Sequence, residues 1–505
     1  MLLEVDILGM SKELEAVIGL EIHSELKTAT KMFCFSKNDP DEKHPNVNVC
    51  PVCLGHPGTL PVINQKATEL VQRVGAALQC KLAEFSKFDR KNYFYPDLPK
   101  GYQISQYDLP LCGEGHLDIL PQGANAPRKI RIERIHLEED TGRLLHPENS
   151  KESLVDFNRA GMPLMELVTK PDIRSGKEAR AFAEELQLIL QYLGASDANM
   201  EKGQMRIEVN LSLREKGVEQ LGTKVEVKNL NSFRSVERAV EFEIERQKAI
   251  LEEGGRVIQE TRGWHDVKQI TFSQRQKEEA HDYRYFPEPD LPPMRFAHDY
   301  FENLKAMLPE LPVSRRNRFI AEYIISPKEA EVLVVDKKMG EYFEEMVSEL
   351  QAWYGAEGKD FEQNKLIKLA SSYLLSDLRG IMSEKLAVIE DLRITPEDFA
   401  ELIKLIAQDK ISSRAAKDVL LEMFETGADP HEIIKAKDIG QTGDEEFLGK
   451  ETDKVLAENP KAVEDFKTGK PNAMQFLIGK VMMATKGRAN PKVVKELLDK
   501  KINNL

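Results

Sequence analysis

Residues 16–26 decide the fold, and they read Ala16-Val17-Ile18-Gly19-Leu20-Glu21-Ile22-His23-Ser24-Glu25-Leu26. Apolar and polar residues alternate along this stretch. In an extended strand, alternate side chains point to opposite faces. Leu20 and Ile22 therefore face one side, whereas Glu21, His23 and Glu25 face the other. The stretch predicts a strand with one buried face and one face that carries ionisable groups.

Three further segments repeat this alternation and also carry carboxylates on their polar faces. They are residues 205–213, residues 224–229 and residues 131–140, which end in His136-Leu137-Glu138-Glu139-Asp140. For any single segment, a lone Glu on a solvated sheet face is the ordinary alternative. Carboxylates on several strands, one of them beside a His, favour a hard-cation site. Mg2+ takes oxygen ligands, often from one or two carboxylates, and commonly accompanies nucleotide phosphates.

Length and composition indicate an ordinary soluble globular protein. The chain has 505 residues, enough for about three domains. No uncharged apolar run approaches the roughly 20 residues of a membrane helix. The first ten residues contain neither a basic nor a long apolar segment, so they predict no secretory signal. Five cysteines, an odd number, do not indicate a disulfide framework, and we expect a cytoplasmic protein without a membrane partner.

The charge of the chain is unevenly distributed. Its net charge is −14, which argues weakly against a nucleic-acid partner. Residues 466–501, however, contain nine Lys or Arg and only two acidic residues. A basic terminal segment on an acidic protein is a candidate contact for a polyanion, and a solvated helical face is the alternative.

The order of patterns predicts an α+β protein. Residues 16–295 consist mainly of strands and turns, with helices predicted over 176–193 and 232–252. Four prolines within residues 286–293 mark a boundary, after which the pattern is helical. A second boundary falls at Thr395-Pro396, where a new helix can begin. We therefore predict a β-rich cradle domain (1–293), an all-helical middle domain (294–395) and a small helical tail domain (396–505).

The cysteines form a second candidate site. Cys50-Pro51-Val52-Cys53 is a CxxC turn, and Cys34 lies sixteen residues before it. Four thiolates in two such turns are a strong zinc signal, but Ser36 stands where the fourth Cys would be expected. His44, His56 or water could supply the fourth ligand. A degenerate site without metal is the alternative.

Several common nucleotide-binding and hydrolase motifs are absent from the sequence. It contains no GxxxxGK[ST] loop, no Gly-rich dinucleotide fingerprint after a strand and no GxSxG elbow. Any ATP chemistry must then use the acidic cation site itself.

Long motifs resemble the GatB family, the B subunits of bacterial aspartyl/glutamyl-tRNA amidotransferases. The resemblance runs from about residue 14 to the end of the chain. Cys50 to Gly55 and the strands described above are part of it, but Ser36 departs from the four-cysteine pattern of some members, and residues 1–13 have no counterpart. The matching stretches are 17–23, 49–55, 88–105, 136–140, 156–164, 227–233, 280–293 and 472–482.

The resemblance implies a specific reaction. With ATP and Mg2+, such a protein phosphorylates the side-chain carboxylate of Glu on mischarged tRNA(Gln), of Asp on mischarged tRNA(Asn), or of both. Ammonia from an amidase subunit (A) then displaces the phosphate, in a complex that includes a small third subunit (C). A carboxylate is a poor acylating agent because its leaving group would be oxide, and phosphorylation removes that obstacle.

Two other functions are alternatives to this reaction. A non-catalytic tRNA-binding scaffold of the same pathway is the alternative. An aminoacyl-tRNA synthetase is disfavoured because the chain lacks the HIGH and KMSKS signatures.

The resemblance also implies roles for individual residues. The expected catalytic residues are Glu21, His23, Glu138, Glu139 and Lys91, with Lys91 where ammonia arrives. For Mg2+, His23 and Glu139 are the expected direct ligands, whereas Glu21, Glu138, Glu208 and Glu226 bind through water or a second cation. Arg206 and Lys228 are expected to contact phosphate, Lys480, Lys486 and Arg488 to bind tRNA, and Cys34, Cys50 and Cys53 to hold zinc if it is bound at all. The six Mg2+ residues must then lie close together.

Overall fold

A computed structural model of the chain describes residues 13–147, 150–276, 282–356, 362–437, 439, 445–468, 470, 472–485 and 489–503. The chain divides into two compact units, Met1–Pro312 and Val313–Leu505. The first unit contains the strands β1 (Leu14–Glu25), β2 (Phe85–Ser86), β3 (Asp89–Asn92), β4 (Tyr102–Ser105), β5 (Gly115–Ile119), β6 (Arg128–Glu139), β7 (Arg143–Leu145), β8 (Leu154–Asp156), β9 (Pro163–Thr169), β10 (Met205–Glu215), β11 (Val225–Leu230), β12 (Glu260–His265), β13 (Ile270–Gln276), β14 (Phe286–Pro287) and β15 (Met294–Arg295). It also contains the helices α1 (Gln65–Ala77), α2 (Gly176–Tyr192), α3 (Phe233–Glu252) and α4 (His298–Ala306).

An eight-stranded sheet organises the first unit. Its strand order is β13-β12-β11-β10-β1-β9-β6-β5, so the strand quoted first lies inside the sheet. β1 pairs antiparallel with both β10 and β9. β6 pairs antiparallel with the other side of β9. Of the carboxylate-bearing strands, β11, β10 and β1 are therefore adjacent, and β6 lies one strand away, across β9.

The two faces of β1 have opposite environments, as the alternation predicts. Ile18, Leu20 and Ile22 are almost completely buried in a core formed with α1, α2 and α3. Burial of each such side chain stabilises the fold by about 1.5–3 kcal/mol. Glu21 and His23 lie on the other face, between the neighbouring strands.

The two predicted helices are confirmed. Helix α2 begins at Gly176 after Ser175, whose side chain accepts a hydrogen bond from the Glu178 N–H. Helix α3 begins at Phe233 after Ser232, which caps it in the same way. These caps satisfy N–H groups that have no partner within the helix. Both helices bury their apolar stripes against the sheet core.

A small sheet, β14-β3-β4, packs over the end of β6. The Gln103 side chain donates to the Glu139 carbonyl oxygen over 2.6 Å. The Ser105 hydroxyl donates to Glu138 Oε2 over 2.8 Å. Strand β4 thereby covers one end of the polar face and partly encloses it.

The second unit is helical in its described part. Tyr342 in this unit donates a hydrogen bond of 3.1 Å to the Thr395 carbonyl oxygen, just before the helix that begins at Pro396. Its elements are α5 (Pro312–Tyr323), α6 (Pro327–Val335), α7 (Lys337–Ala356), α8 (Gln363–Ser372), a π-helical turn (Tyr373–Leu378), α9 (Arg379–Lys385), a 3-10 turn (Ile389–Asp391), α10 (Pro396–Ala407), α11 (Ser413–Thr426), α12 (Pro430–Lys437), α13 (Glu445–Glu458), α14 (Pro460–Lys467), α15 (Asn472–Ala484) and α16 (Pro491–Asn503).

The predicted α+β class, with a strand-rich first part and helices after it, is confirmed. The division into domains 1–293, 294–395 and 396–505 stays a prediction. Helix α4, which follows the first predicted boundary, packs on α1, and Tyr300 donates to Gln72 Oε1 over 2.7 Å. Within the described residues, every helix is too short or too polar to cross a membrane.

Candidate active site on the polar face of the sheet

Five ionisable side chains meet on the polar face, and we call them the carboxylate–histidine cluster: Glu21, His23, His136, Glu138 and Glu166. His23 Nε2 lies 3.2 Å from Glu166 Oε2, 3.8 Å from Glu138 Oε1 and 3.9 Å from Glu21 Oε1. His136 Nε2 lies 3.4 Å from Glu166 Oε2 and 3.6 Å from Glu138 Oε2. Glu166 therefore joins the two imidazoles.

Strand register explains why these groups meet. On β9, Glu166 lies directly opposite His23 of β1 and also opposite His136 of β6. Directly opposed residues of antiparallel strands share one face of the sheet. Glu138 follows His136 by two positions and so points to the same face. Three adjacent strands thus hold the cluster with little freedom to move.

The imidazoles neutralise the buried carboxylates. Burial by itself would lower the pKa of His23, but the hydrogen bond to Glu166 and the nearby carboxylates raise it to about 9. Burial acts on His136 in the same way, and Glu166 and Glu138 raise its pKa to about 9. Although burial opposes it, His136 and His23 hold the pKa of Glu166 well below its usual range. At neutral pH both imidazoles are therefore protonated between carboxylates.

The cluster fits a divalent cation. Two overlapping triads, Glu21 with His23 and Glu166, and His136 with Glu138 and Glu166, each bring three ligand atoms within 4.8 Å of one another. His136 Nδ1 is buried and has no hydrogen-bond partner in the part of the chain that the structure describes. Carboxylate oxygens suit Mg2+ and Mn2+. Cation binding would replace the imidazole protons, because a histidine ligand must be neutral.

Lys91 of β3 faces this cluster. Its ammonium lies 5.1 Å from the ring centroid of Tyr283. Burial by itself would lower the pKa of Lys91, but the charges of Glu138 and Glu166 raise it. The structure thus brings Lys91 together with Glu138, and its position where ammonia arrives stays a prediction.

Glu208 and Glu226 flank the cluster rather than join it. Glu208 lies opposite Glu21 in the register of β1 and β10. Lys228 Nζ lies 2.7 Å from Glu208 Oε2 and 3.8 Å from Glu226 Oε1. Thr261 donates to Glu226 Oε2 over 2.7 Å. Lys228 thus forms a cationic neighbour of the cluster, beside two acids.

Arg206 binds a carboxylate of the protein itself. It lies opposite His23 in the pairing of β1 with β10. Its guanidinium donates hydrogen bonds of 2.9–3.0 Å to the carboxylate oxygens of Asp140. Arg159 Nε lies 3.6 Å from the same Asp140. A phosphate contact by Arg206 stays a prediction, and in this structure Arg206 is committed to Asp140.

Glu139 lies apart from the cluster. Its Oε1 lies 2.5 Å from Lys100 Nζ and accepts a 2.9 Å hydrogen bond from the Ile104 N–H. Successive residues of a strand point to opposite faces, so Glu138 and Glu139 diverge. Glu139 instead lines a cavity of about 240 Å³ that Cys34 and Cys53 also line. Glu139 therefore does not lie with the acids of the carboxylate–histidine cluster, and the geometry does not support its predicted role as a direct Mg2+ ligand beside them.

The three thiols converge, and we call Cys34, Cys50 and Cys53 the cysteine cluster. Their sulfur atoms lie within 4.8 Å of one another, and Cys50 Sγ is 3.9 Å from Cys53 Sγ. Lys31 Nζ lies 3.7 Å from Cys53 Sγ, and Ser36 Oγ lies 3.8 Å from it.

The cysteine cluster supplies three of the four protein ligands that a structural zinc site takes. Among the described residues, no His or carboxylate joins the three sulfur atoms at that distance. His44 instead hydrogen-bonds Glu42, with Nδ1 and Oε1 2.9 Å apart, and His56 lines the neighbouring cavity. The residues present do not complete a structural zinc site.

One predicted tRNA-binding residue lies within the described part. Lys480 on α15 places its ammonium 5.5 Å from the ring centroid of Phe476. Lys486 and Arg488 lie outside the described residues. The tRNA contact of this region stays a prediction.

Sequence reasoning missed two members of the cluster, His136 and Glu166. His136 was visible at the end of an alternating segment. Glu166 lies in Pro163-Leu164-Met165-Glu166-Leu167-Val168-Thr169, an apolar strand that is buried on both faces. A single charged residue inside such a strand is rare without a partner, and that rarity is the signal that could have revealed it.

The fold and the site together define a class of protein: an α+β protein whose buried carboxylates and imidazoles, on one face of a sheet, can hold a cation. A model of the GatB/GatE catalytic domain matches residues 16–302, and a model of the GatB domain matches residues 359–502.

Three full-length relatives agree with these two matches, and each is named as a B subunit of an aspartyl/glutamyl-tRNA(Asn/Gln) amidotransferase. The relative from Caldicellulosiruptor saccharolyticus is 48% identical over 496 residues, covering 98% of this chain and 100% of the relative. The relative from Carboxydothermus hydrogenoformans is 47% identical over 497 residues, covering 98% and 100%. The relative from Persephonella marina is 47% identical over 486 residues, covering 96% and 99%.

This chain therefore belongs to the GatB family. The resemblance in the sequence motifs is confirmed, and so is the prediction of an enzyme of the amidotransferase class.

Proposed function

We propose that this chain activates and amidates the amino acid on misacylated tRNA. With ATP and Mg2+, it phosphorylates the side-chain carboxylate of Glu on tRNA(Gln), of Asp on tRNA(Asn), or of both. Ammonia then replaces the phosphate and leaves Gln-tRNA(Gln) or Asn-tRNA(Asn). An amidase subunit (A) supplies the ammonia, a small subunit (C) completes the complex, and the reaction takes place in the cytoplasm.

The carboxylate–histidine cluster is the observation that carries this proposal. Mg2+ bound there would offset the charge of the transferred phosphate and so assist phosphoryl transfer. Glu21, His23, Glu138 and Glu166 would hold the cation. Lys228, whose ammonium pairs with Glu208 beside the cluster, would add a positive charge that faces the phosphates. Strand pairing keeps these groups in place, which reduces the reorganisation needed for reaction.

The second half-reaction requires ammonia in a site with little water. Lys91 and the tyrosines around it cover one side of the cluster. The buried ammonium of Lys91 can donate a hydrogen bond to the acyl oxygen, on which negative charge develops during the attack. Attack by ammonia leaves a proton to be removed. The departing phosphate can carry this proton away as hydrogen phosphate.

The proposal is tested in the assembled complex with misacylated tRNA, ATP and Mg2+. Glu21→Ala and His23→Ala should each reduce amide formation by about 10²–10³-fold, the scale seen when one preorganised electrostatic contact is removed. Glu15→Ala is the matched control, because Glu15 lies on the same face of β1 about 20 Å away and binds Arg214. Amide formation by either cluster variant at the control rate would contradict the assignment.

A scaffold function gives a different result in the same experiment. A non-catalytic subunit would bind tRNA, and its cluster variants would leave ADP formation unchanged. Measuring ADP and amide together therefore separates the two functions.

A further inference from the structure

A continuous run of aromatic rings borders the candidate active site, and we call it the tyrosine ribbon: Tyr95, Tyr93, Tyr283, Tyr285 and Tyr107. The ring centroids of successive members lie 6.2, 5.9, 5.9 and 4.3 Å apart. Tyr107 and Tyr285 stack in parallel, with an interplanar angle of 10°. The other three contacts are edge-to-face.

Both ends of the tyrosine ribbon are open to solvent. Tyr95 is 54% exposed and Tyr107 is 61% exposed. Phe94, next to Tyr95, is 89% exposed. Large aromatic side chains that remain this exposed side by side are typical of a binding surface.

The middle of the ribbon lies against the candidate catalytic groups. The ammonium of Lys91 lies 5.1 Å from the ring centroid of Tyr283 and also faces Glu138. Burial raises the pKa of Tyr285 to about 12, and the charges of Lys91 and Glu138 also act on this hydroxyl. A ligand that lies on the ribbon would therefore end near the carboxylate–histidine cluster.

We propose that the tyrosine ribbon binds the unpaired 3′ end of the aminoacylated tRNA by stacking of its bases. This inference rests on the proposed function, because the nucleotide at that end carries the carboxylate that must reach the cluster. The amino acid is esterified to the terminal ribose through its α-carboxyl group, so its free side-chain carboxylate lies only a few bonds from that ribose and the terminal base must lie beside the site.

The shape of the ribbon favours a strand of RNA over ATP. Sites for small nucleotides are concave and bury most of the ligand. The ribbon is instead an extended surface with several rings in sequence, and single-stranded nucleic acids bind such surfaces by stacking successive bases on them. Arg284, between Tyr283 and Tyr285 in the chain, has a side chain that is 82% exposed and pairs with the similarly exposed Asp282 at 3.2 Å, a surface ion pair that a phosphate of the RNA backbone can replace.

Steady-state kinetics of the assembled complex test the proposal. Tyr95→Ala and Tyr107→Ala should each raise the KM for aminoacyl-tRNA by about five- to hundredfold per base stack lost. The kcat at saturating aminoacyl-tRNA and the KM for ATP should change by less than about threefold. Tyr107→Phe should restore the KM because it keeps the stacking ring. Phe272→Ala is the matched control, since Phe272 on β13 is a partly exposed ring outside the ribbon.

A binding measurement makes the test independent of catalysis and of variant folding. A tRNA with 2-aminopurine in place of its terminal adenine should lose fluorescence when it binds the wild-type complex, because stacking quenches this base. A tRNA that lacks its last three nucleotides should bind more weakly to the wild type, and Tyr107→Ala should not weaken it further. Unchanged fluorescence of the bound 2-aminopurine tRNA would overturn the proposal.

Other outcomes are equally decisive. A rise in the KM for ATP in place of aminoacyl-tRNA would overturn the proposal and assign the ribbon to the adenine of ATP. Unchanged KM values for both substrates would make the ribbon a structural feature only. If the wild-type complex bound the 2-aminopurine tRNA with quenching but formed no amide, the proposed function would be wrong, whereas binding of the 3′ end by the tyrosine ribbon would be supported.

Discussion

The carboxylate–histidine cluster and the cysteine cluster both bring three potential metal ligands within 4.8 Å of one another. They are built on different supports. The first is held by the adjacent strands β1, β9 and β6. The second lies in loops that follow β1, and it packs around Lys31, whose side chain is fully buried.

The two clusters differ most in the source of their positive charge. In the carboxylate–histidine cluster, protons on His23 and His136 offset the carboxylates, and protons can leave. In the cysteine cluster, the ammonium of Lys31 lies 3.7 Å from Cys53 Sγ and also donates to the Phe157 carbonyl oxygen over 3.2 Å. Burial lowers the pKa of Lys31, although the three cysteine sulfurs act to raise it, and its amine belongs to a side chain that stays in place. The first cluster can thus exchange protons for a cation, whereas the second already has a basic group of the protein against one of its sulfur atoms.

Among the tests of this difference between the two clusters, replacement of Glu166 should have the largest effect on amide formation. Glu166→Gln removes the carboxylate shared by both imidazoles, so cation binding is lost and amide formation should fall by about 10²–10³-fold. The measurement is the rate of amide formation in the assembled complex, with Glu15→Gln on β1 as the control. Retention of the wild-type rate would show that the reaction does not need the carboxylate–histidine cluster, and the proposed difference in function between the two clusters would be wrong.

The pH dependence of Mg2+ affinity should show the exchange of protons directly. The pKa values of His23 and His136 are both raised to about 9, so both imidazoles carry protons below that pH. Mg2+ must expel protons, so its affinity should rise with pH up to about 9, by about tenfold per pH unit for each proton expelled. The Mg2+ concentration for half-maximal ADP formation, measured from about pH 7 to pH 9, checks this. The same half-maximal concentration at every pH would contradict proton exchange.

Lys31 should affect stability rather than catalysis. Lys31→Met removes a buried ammonium that hydrogen-bonds a sulfur and a carbonyl oxygen, so the free energy of unfolding should fall by about 1–3 kcal/mol. Urea denaturation of the purified complex measures it. Lys27→Met is the control, because Lys27 pairs with Asp197 at the exposed surface and should contribute little. A large loss of kcat in the folded Lys31 variant would assign this residue to the reaction instead.

Zinc removal should have the smallest effect. The cysteine cluster lacks a fourth protein ligand among the described residues, so a zinc-selective chelator should change amide formation by less than about twofold. Metal analysis of the purified chain provides the second readout. One tightly bound zinc per chain would contradict this view and would require a fourth ligand such as Ser36 or water.

Alternation along the strands predicted the two faces of the sheet. Leu20 and Ile22 are buried and Glu21 and His23 lie on the polar face, because a two-residue period is a direct consequence of strand geometry. The two longest helices of the first unit were predicted almost to the residue from their sequence patterns, and in the structure Ser175 and Ser232 cap their first turns.

Strand register could not be predicted from one sequence. The meeting of Glu166 with His23 and His136 depends on which strands are neighbours and on how they are aligned. Glu139 is a different case, because the alternation of the strand by itself separates it from Glu138. Its place beside Glu138 in the sequence suggested a shared site, but adjacent residues of a strand point apart, and Lys100 binds Glu139 on the other side.

The position of a bound cation tests the central claim most directly. Mn2+ can replace Mg2+ at oxygen-rich sites and is located by its anomalous scattering in a crystal of the complex. The account predicts a Mn2+ peak about 2.1 Å from His23 Nε2 and from carboxylate oxygens of Glu21 or Glu166. A Mn2+ peak at Glu139 or at the cysteine cluster, with none at His23, would contradict it.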